Sequence, residues 1–453
     1  MIENVMSQAA TTMSGQLHGN DVAFRGVSID TRTLDEGELF VALQGPNFDG
    51  ADFIPNAVSR GAAGAVVEAK AAAELPSIVV DDSHHALATL AADWRARMSA
   101  TVIGVTGSNG KTTLKELIHA CLAPVAPTLA TAGNLNNDIG LPLMLLRLAP
   151  EHRFAVLEMG ANHAGEIAYL TLLAQPEIVV ISNAGPAHLE GFGSIDGVAS
   201  AKGEILQGEP APRIAVLNAD DPYYEQWCGM AEGSEILSFG YAEAASISVR
   251  NVQTTSAGST FDLKLPMDTV HINLGLPGKH NALNAAAAAA VAVAAGLDTR
   301  KIKRGLESLQ PVAGRLQPVH GINAIHLYDD SYNANPSSVV AAAQFIAAQK
   351  GTAWLVMGDM AELGDEAAVM HAAVGEQIRE SGVDKLFATG ELAKRAVASF
   401  GDAAEWFATV DELVDRLRES LQPGINVLVK GSRSMRMERV VDALRADQGT
   451  GER

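Results

Sequence analysis

Residues 101–113, TVIGVTGSNGKTT, decide the fold. The apolar run 102–105 reads as a buried strand and Gly107 to Gly110 as a tight turn. Leu114, Leu117, Ile118, Cys121 and Leu122 then recur at the spacing of one helical face. In that order the backbone N–H groups of Gly107, Ser108, Asn109 and Gly110 converge on phosphate oxygens at the positive end of a helix. Lys111 adds a mobile cation, and the Thr112 hydroxyl, followed by Thr113, can ligate Mg2+. The general phosphate-loop pattern has glycine five residues before Gly110, where this chain has Val105, so the shorter form TGSNGKTT carries the reading.

Outward from this loop, apolar strands that end in glycine or polar turns alternate with amphipathic helices, which predicts an α/β chain with a parallel sheet. Core strands are expected at 102–105, 154–157, 178–181 and 214–217, β-like text at 236–276 and an alanine-rich helix at 283–295. Upstream, short β-rich runs at 39–43 and 65–67 with the turn Gln44 to Gly50 predict a small α/β module. Leu87, Leu90, Ala91 and Trp94 then place one apolar face on a connector helix at 84–98. Beyond Gly314 a second series begins, with strands at 325–328, 353–357, 385–388 and 427–429 and helices at 337–349 and 366–380. The 453 residues therefore divide into three expected domains, 1–83, 84–312 and 313–453. The first is a small α/β module, the second a phosphate-loop ATPase-type parallel sheet, and the third a Rossmann-like domain.

Composition narrows the function. With 33 Lys and Arg against 53 Asp and Glu, the net charge of −20 repels nucleic acid and anionic membrane surfaces. The two cysteines, Cys121 and Cys228, cannot build a disulfide framework or a multi-cysteine metal site, which fits a reducing compartment. The N-terminus lacks the pattern of a secretory signal, and the apolar stretch 282–297 is mostly alanine, interrupted by Asn284. A cytoplasmic monomer without membrane insertion is expected.

An acidic protein that binds a polyanionic nucleotide needs metal ions and local cations. Candidates lie where strands end, at the edge of the sheet where α/β proteins bind ligands. Glu158 follows one strand, and His188 lies in the glycine-rich loop after another. Lys202 sits in AKGEI. Taken singly, Glu158 reads equally as a solvated loop glutamate, whereas His188 reads more readily as a structural histidine and Lys202 as an exposed helix lysine.

Together with TGSNGKTT, the segments SIDTRTLDEGELFVALQGPNFDG, GNLNNDIGLP, LEMGANHAGEI, NAGPAHLEGFGS, AKGEI, GKHNALNAAAA, DDSYNANPSS, MGDMAELG and KGSRSMRME resemble the Mur ligase family in order and spacing over nearly the whole chain. The resemblance implies ATP-dependent amide formation through an acyl phosphate, and it makes the small N-terminal α/β module a substrate module. DDSYNANPSS points to the branch that joins D-alanyl-D-alanine to UDP-N-acetylmuramoyl-tripeptide in peptidoglycan precursor synthesis. It further implies that Lys111 holds the β- and γ-phosphates, that Thr112 and Glu158 ligate one Mg2+ and that His188 ligates a second. Lys202 would be carbamylated, so that an ammonium becomes an anionic ligand. By the same resemblance Asn281 and Asn284 meet the adenine side of ATP, Asn281 reading equally as a helix N-cap. Arg315 and Asp330 meet the phosphates and ribose, with Asp329 the alternative to its neighbour. Ser28, Thr31 and Arg32 belong to the UDP site, beside the loop from Gln44 to Gly50, and Asn134, Asn136 and Asn137 suit the peptide or sugar. All these positions also suit ordinary turns. Lys430, Ser432 and Arg433 suit a substrate carboxylate. The rival readings are a sibling ligase that adds a single amino acid and a GTPase-like switch. The chain lacks the Asn-Lys-x-Asp guanine-reading motif a switch requires.

Overall fold

The phosphate-loop strand, Thr101–Thr106, lies inside a nine-stranded sheet in the computed structural model, which describes residues 1–45, 48–68 and 75–446. Phe154–Glu158 pairs with it on one side and Ile178–Ile181 on the other, both in parallel. Thr128–Ala130 lies beyond the first, and Ile214–Asn218, Glu235–Gly240 and Ile247–Thr255 extend the parallel order beyond the second. An antiparallel hairpin, Gly258–Lys264 and Thr269–Leu274, completes the sheet. Because the chain runs outward in both directions from Thr101–Thr106, the carboxyl end of that strand is a topological switch point. A crevice for ligands opens there.

Alternation along the strand feeds two cores. Ile103 and Val105 pack with the helix Lys111–Leu122 and the alanine-rich helix Lys279–Ala294, whose small side chains from Ala285 to Ala290 are fully buried. Val102 faces the other layer, made by Ser83–Ala96, Gly140–Leu146 and Glu166–Ala174. The expected connector at 84–98 is therefore part of a packed layer: Leu87, Leu90, Ala91 and Trp94 are buried as expected, and the Trp94 indole donates to Leu148 O at 3.0 Å. The same core runs on into the N-terminal region through Ile2, Met6 and Met13. The sheet there takes Gln16–His18, Ser77–Val79, Gly64–Val67, Leu39–Val41 and Val27–Ser28, in that order. Pro46 and Asn47 of the Gln44 to Gly50 turn lie outside the described residues.

The C-terminal sheet has six strands, in the order Gln317–His320, His326–Asp330, Asn426–Lys430, Ala353–Met357, Lys385–Thr389 and Ala404–Phe407, with the first antiparallel and the rest parallel. Sequence reading found the four buried strands and missed the two edges. Gln317–His320 and Ala404–Phe407 are only half-buried and lack a continuous apolar run. The helices Met6–Thr12, Ala393–Phe400 and Val410–Ser420 were likewise not anticipated. Among the described residues no helix is long and apolar enough to cross a membrane.

The helix bearing Lys111 is braced from behind by Thr299–Ser308, which approaches it at Gly305. A Cβ at that position would sit 2.5 Å from Cys121 Cα. Gly305→Ala is expected to lower stability by about 1–3 kcal/mol from overpacking, despite alanine's better helix propensity. A melting temperature at or above that of the unaltered protein would contradict this packing.

Candidate active site

The phosphate loop spans only Gly107 to Gly110, because Val105 is the fifth residue of a six-residue strand and is fully buried. Gly107 has φ +141°, and a Cβ there would overlap the Ser182 hydroxyl at 2.0 Å. Gly110 has φ +79° and abuts the Asn284 amide. The loop is clamped to the next strand's end: Asn109 N–H donates to Asn183 Oδ1 at 3.0 Å, the Ser182 hydroxyl donates to Asn109 O at 2.7 Å, and the Ser108 hydroxyl donates to Gly185 O at 3.1 Å.

Lys111 folds back and donates to Gly107 O at 2.7 Å. Burial depresses its pKa; Glu158 opposes that shift and Arg315 adds to it. Glu158, 3% exposed, ends its strand with one oxygen accepting from the Thr112 hydroxyl at 3.0 Å and the other from the Asn136 amide at 2.8 Å. Its backbone N–H donates to the Thr131 hydroxyl at 2.9 Å. From the C-terminal domain, the Arg315 guanidinium donates to the same Thr112 hydroxyl at 3.2 Å while stacked 4.1 Å above the Tyr332 ring.

These groups line a cavity of about 640 Å3 between the central and C-terminal domains, bounded by Ser108 to Thr112, Asn134 to Asn137, Glu158, His188, Arg315, Glu362 and Arg433 among others. His188, at φ +54°, turns its ring Nδ1 onto the Glu362 carboxylate of the C-terminal domain, which holds that carboxyl below the usual range. Lys202 lies behind the wall. It is 1% exposed, its ammonium donates among the described residues only to Ala161 O at 3.4 Å, and it sits 5.0 Å over the Phe192 ring. Burial, reinforced by Lys111, lowers its pKa to about 7 against the pull of Glu166 and Glu204.

Other expected residues divide between this cavity and elsewhere. Asn134 and Asn137 line it, Asn137 also accepting from Gly140 N–H at 2.9 Å. Thr113 is buried against the core. Asn281 is not an N-cap, a place taken by Gly278; its amide donates to Pro277 O at 2.7 Å and its oxygen accepts from the Asn284 amide at 3.2 Å. Asp330 accepts from Lys430 at 2.7 Å, and the alternative, Asp329, is turned onto Ser331. Lys430 also donates to Asn333 O at 3.0 Å, so its charge is already engaged by the protein; Ser432 is buried, whereas Arg433 remains exposed at the cavity. Ser28, Thr31 and Arg32 lie off the cavity. The Ser28 hydroxyl is tied to the Asp30 backbone, and Arg32 forks onto the Asp30 carboxylate at 2.6 Å. Tyr332, Asn335 and Glu362 join the site without having been singled out. Tyr332 and Asn335 stand in a segment already quoted, DDSYNANPSS, and only the fold shows which of its letters face the loop.

Residues 105–292 match the Mur ligase middle domain, 314–433 the Mur ligase glutamate ligase domain, and 23–95 the Mur ligase family catalytic domain. The UDP-N-acetylmuramoyl-tripeptide–D-alanyl-D-alanine ligase of Escherichia coli is 43% identical over 453 residues, which cover 99% of this chain and 100% of that one. The chain belongs to the Mur ligase family. The namesake ligase of Bacillus subtilis is 34% identical, with 98% and 99% covered. Among solved structures, this Mur ligase superposes on MurF of Acinetobacter baumannii with a TM-score of 0.91 at 34% identity, covering 98% of both chains. MurF of Thermotoga maritima in complex with ADP gives 0.82 at 29%, covering 92% of this chain and 96% of that one.

The buried lysine gives this Mur ligase a pH signature. The folded state disfavours the Lys202 ammonium, so the penalty is complete below a pH of about 7. It disappears as the pH rises toward the ordinary lysine value, because the unfolded chain binds the extra proton in between. In bicarbonate-free buffer, Lys202→Met is expected to raise the melting temperature most at pH 6 and progressively less up to pH 10. A gain that grows with pH would refute the buried, depressed lysine.

Proposed function

We propose that the chain catalyses ATP-dependent joining of D-alanyl-D-alanine to the terminal carboxyl of UDP-N-acetylmuramoyl-tripeptide, in peptidoglycan precursor synthesis, through an acyl phosphate. The observation that carries the reading is the buried Glu158 carboxylate in contact with the phosphate-loop Thr112, in a cavity that Arg315 closes from the C-terminal domain. A free carboxylate is a poor electrophile. Its oxygen attacks the γ-phosphorus, ADP departs, and the dipeptide amine then displaces phosphate from the acyl carbon after losing a proton. The protein's part is positioning and charge neutralisation. Lys111 at the phosphate loop and Arg315 at the Thr112 hydroxyl supply cations, and Asn134 and Asn137 offer amides to the peptide.

The donor set also suits Mg2+. Among the described residues no three His, Cys, Asp or Glu side chains cluster as a self-sufficient metal cage, whereas one hydroxyl and one carboxylate meet beside the phosphate loop. That is the economy of Mg2+ sites, which draw their remaining ligands from substrate phosphates and water. Thr112 and Glu158 would hold one ion and His188 a second, and the metal would offset charge on the phosphates. Lys202 suits carbamylation because a neutral amine is what reacts with CO2, and its depressed pKa keeps part of it neutral near pH 7. The carbamate would carry its charge to the cavity wall formed by Ala161. The reading includes Asn281 and Asn284 at the adenine, Asp330 at the ribose, and Ser28, Thr31 and Arg32 at the UDP. It also includes a division into domains at 83/84 and 312/313 and a monomer working in the cytoplasm.

Phosphate release is expected only when ATP, the UDP-tripeptide and D-alanyl-D-alanine are all present, and 18O in the peptide carboxyl should appear in the released phosphate. Release with a free amino acid in place of the dipeptide would move the chain to a sibling branch. Lys202→Ala should lower turnover by about 10- to 100-fold, partly restored by added short-chain carboxylic acids. Unchanged turnover would remove Lys202 from the reaction.

A further inference from the structure

Asn109, in the middle of the phosphate loop, has its backbone wholly engaged within the central domain, its N–H on Asn183 and its carbonyl on Ser182 and Asn183. Its side chain faces the other way. The Asn335 amide donates to Asn109 Oδ1 at 2.8 Å, the Asn109 amide donates to the Ser337 hydroxyl at 3.0 Å, and that hydroxyl donates to Asn335 Oδ1 at 3.2 Å. The three side chains form a closed ring in which every bond runs in one direction, an arrangement whose members polarise one another.

The ring has a defined sense because of local structure. Asn335 is the N-cap of the helix Pro336–Ala347: its Oδ1 accepts from Ser338 N–H at 2.9 Å, and its own N–H is paired with the Ser338 hydroxyl at 3.0 Å. An asparagine whose oxygen is committed to its helix can present only its amide N–H2 outward, and Asn109 must meet it with the carbonyl. The cap therefore dictates which way the phosphate-loop side chain points. The same segment carries Tyr332, on which Arg315 rests before reaching Thr112.

We propose that Asn335 is a positioning residue for phosphoryl transfer. Acting through Asn109, it registers the C-terminal domain on the phosphate loop so that Arg315 reaches the Thr112 side of the nucleotide site. This rests on the ligase reading above. The ring consists of side chains at the seam between the loop and the C-terminal helix, so its loss falls on kcat more than on the KM for ATP.

Asn335→Ser separates the two roles of the residue, since serine caps a helix about as well as asparagine but is too short to reach Asn109. The expected result is a kcat about fivefold to tenfold lower, a KM for ATP within about twofold, and an unchanged melting temperature. In an Asn109→Ala background the same substitution should cost nothing further. Ser337→Ala, which leaves the cap intact, tests the ring independently of Asn335 and should lower kcat about threefold, again only when Asn109 is present. An unchanged kcat, or losses that multiply with Asn109→Ala, would overturn the proposal. Failure of the unaltered enzyme to form the ligated product would instead sink the ligase reading, which the parallel wild-type assay reports separately.

Discussion

Glu158 is a carboxylate buried at the end of a strand and tied by its two oxygens to Thr112 and Asn136, and the rest of the site is arranged around that fact. A buried anion is tolerable only if hydrogen bonds and nearby cations compensate it. Here two side-chain donors and the neighbouring Lys111 do so, and Thr131, itself bonded to Val156 O, fixes the backbone from behind. The parallel register of Phe154–Glu158 with Thr101–Thr106 brings carboxylate and phosphate loop to the same edge, where the reversal of strand order leaves room for a ligand.

The chain as a whole carries −20, yet the cavity draws Lys111, Arg315 and Arg433 to one place. Their separation in sequence matters. Lys111 belongs to the central domain and the two arginines to the C-terminal one, so the local positive field is assembled only when both walls face each other. The His188 and Glu362 pair and the Asn109, Asn335 and Ser337 ring lie at the same seam. These hydrogen bonds and this ion pair are polar and directional, which suits surfaces that separate and meet again.

Most of the fold was legible because buried parallel strands announce themselves as unbroken apolar runs: Ile178–Ile181 and Ile214–Asn218 could be read almost to the residue. The half-buried edge strands were not, since Ala404–Phe407 owes its pairing to Lys385–Thr389 rather than to its own pattern. Within the site, Lys111, Thr112 and Glu158 were legible from a loop motif and a strand end. The geometry brings all three together. The partners of Lys202 were invisible in sequence, because Phe192 and Ala161, which pack against it, come from a short helix and a loop elsewhere in the chain. The pairing of Ser28 and Arg32 with Asp30 was equally invisible, since hydrogen bonds within a turn leave no mark in motif order.

The apolar core that passes without interruption from Ile2 and Met6 through Trp94 to Leu157 gives the molecule a lopsided construction. The N-terminal sheet and the central sheet share an oily joint, while the C-terminal sheet keeps two hydrophobic cores of its own, apart from that joint. A load applied to the first block is thus borne by tightly interlocked side chains, whereas the third sheet hangs from it by water-exchangeable bonds. Because water competes for such bonds, that wet joint is the easier of the two to open.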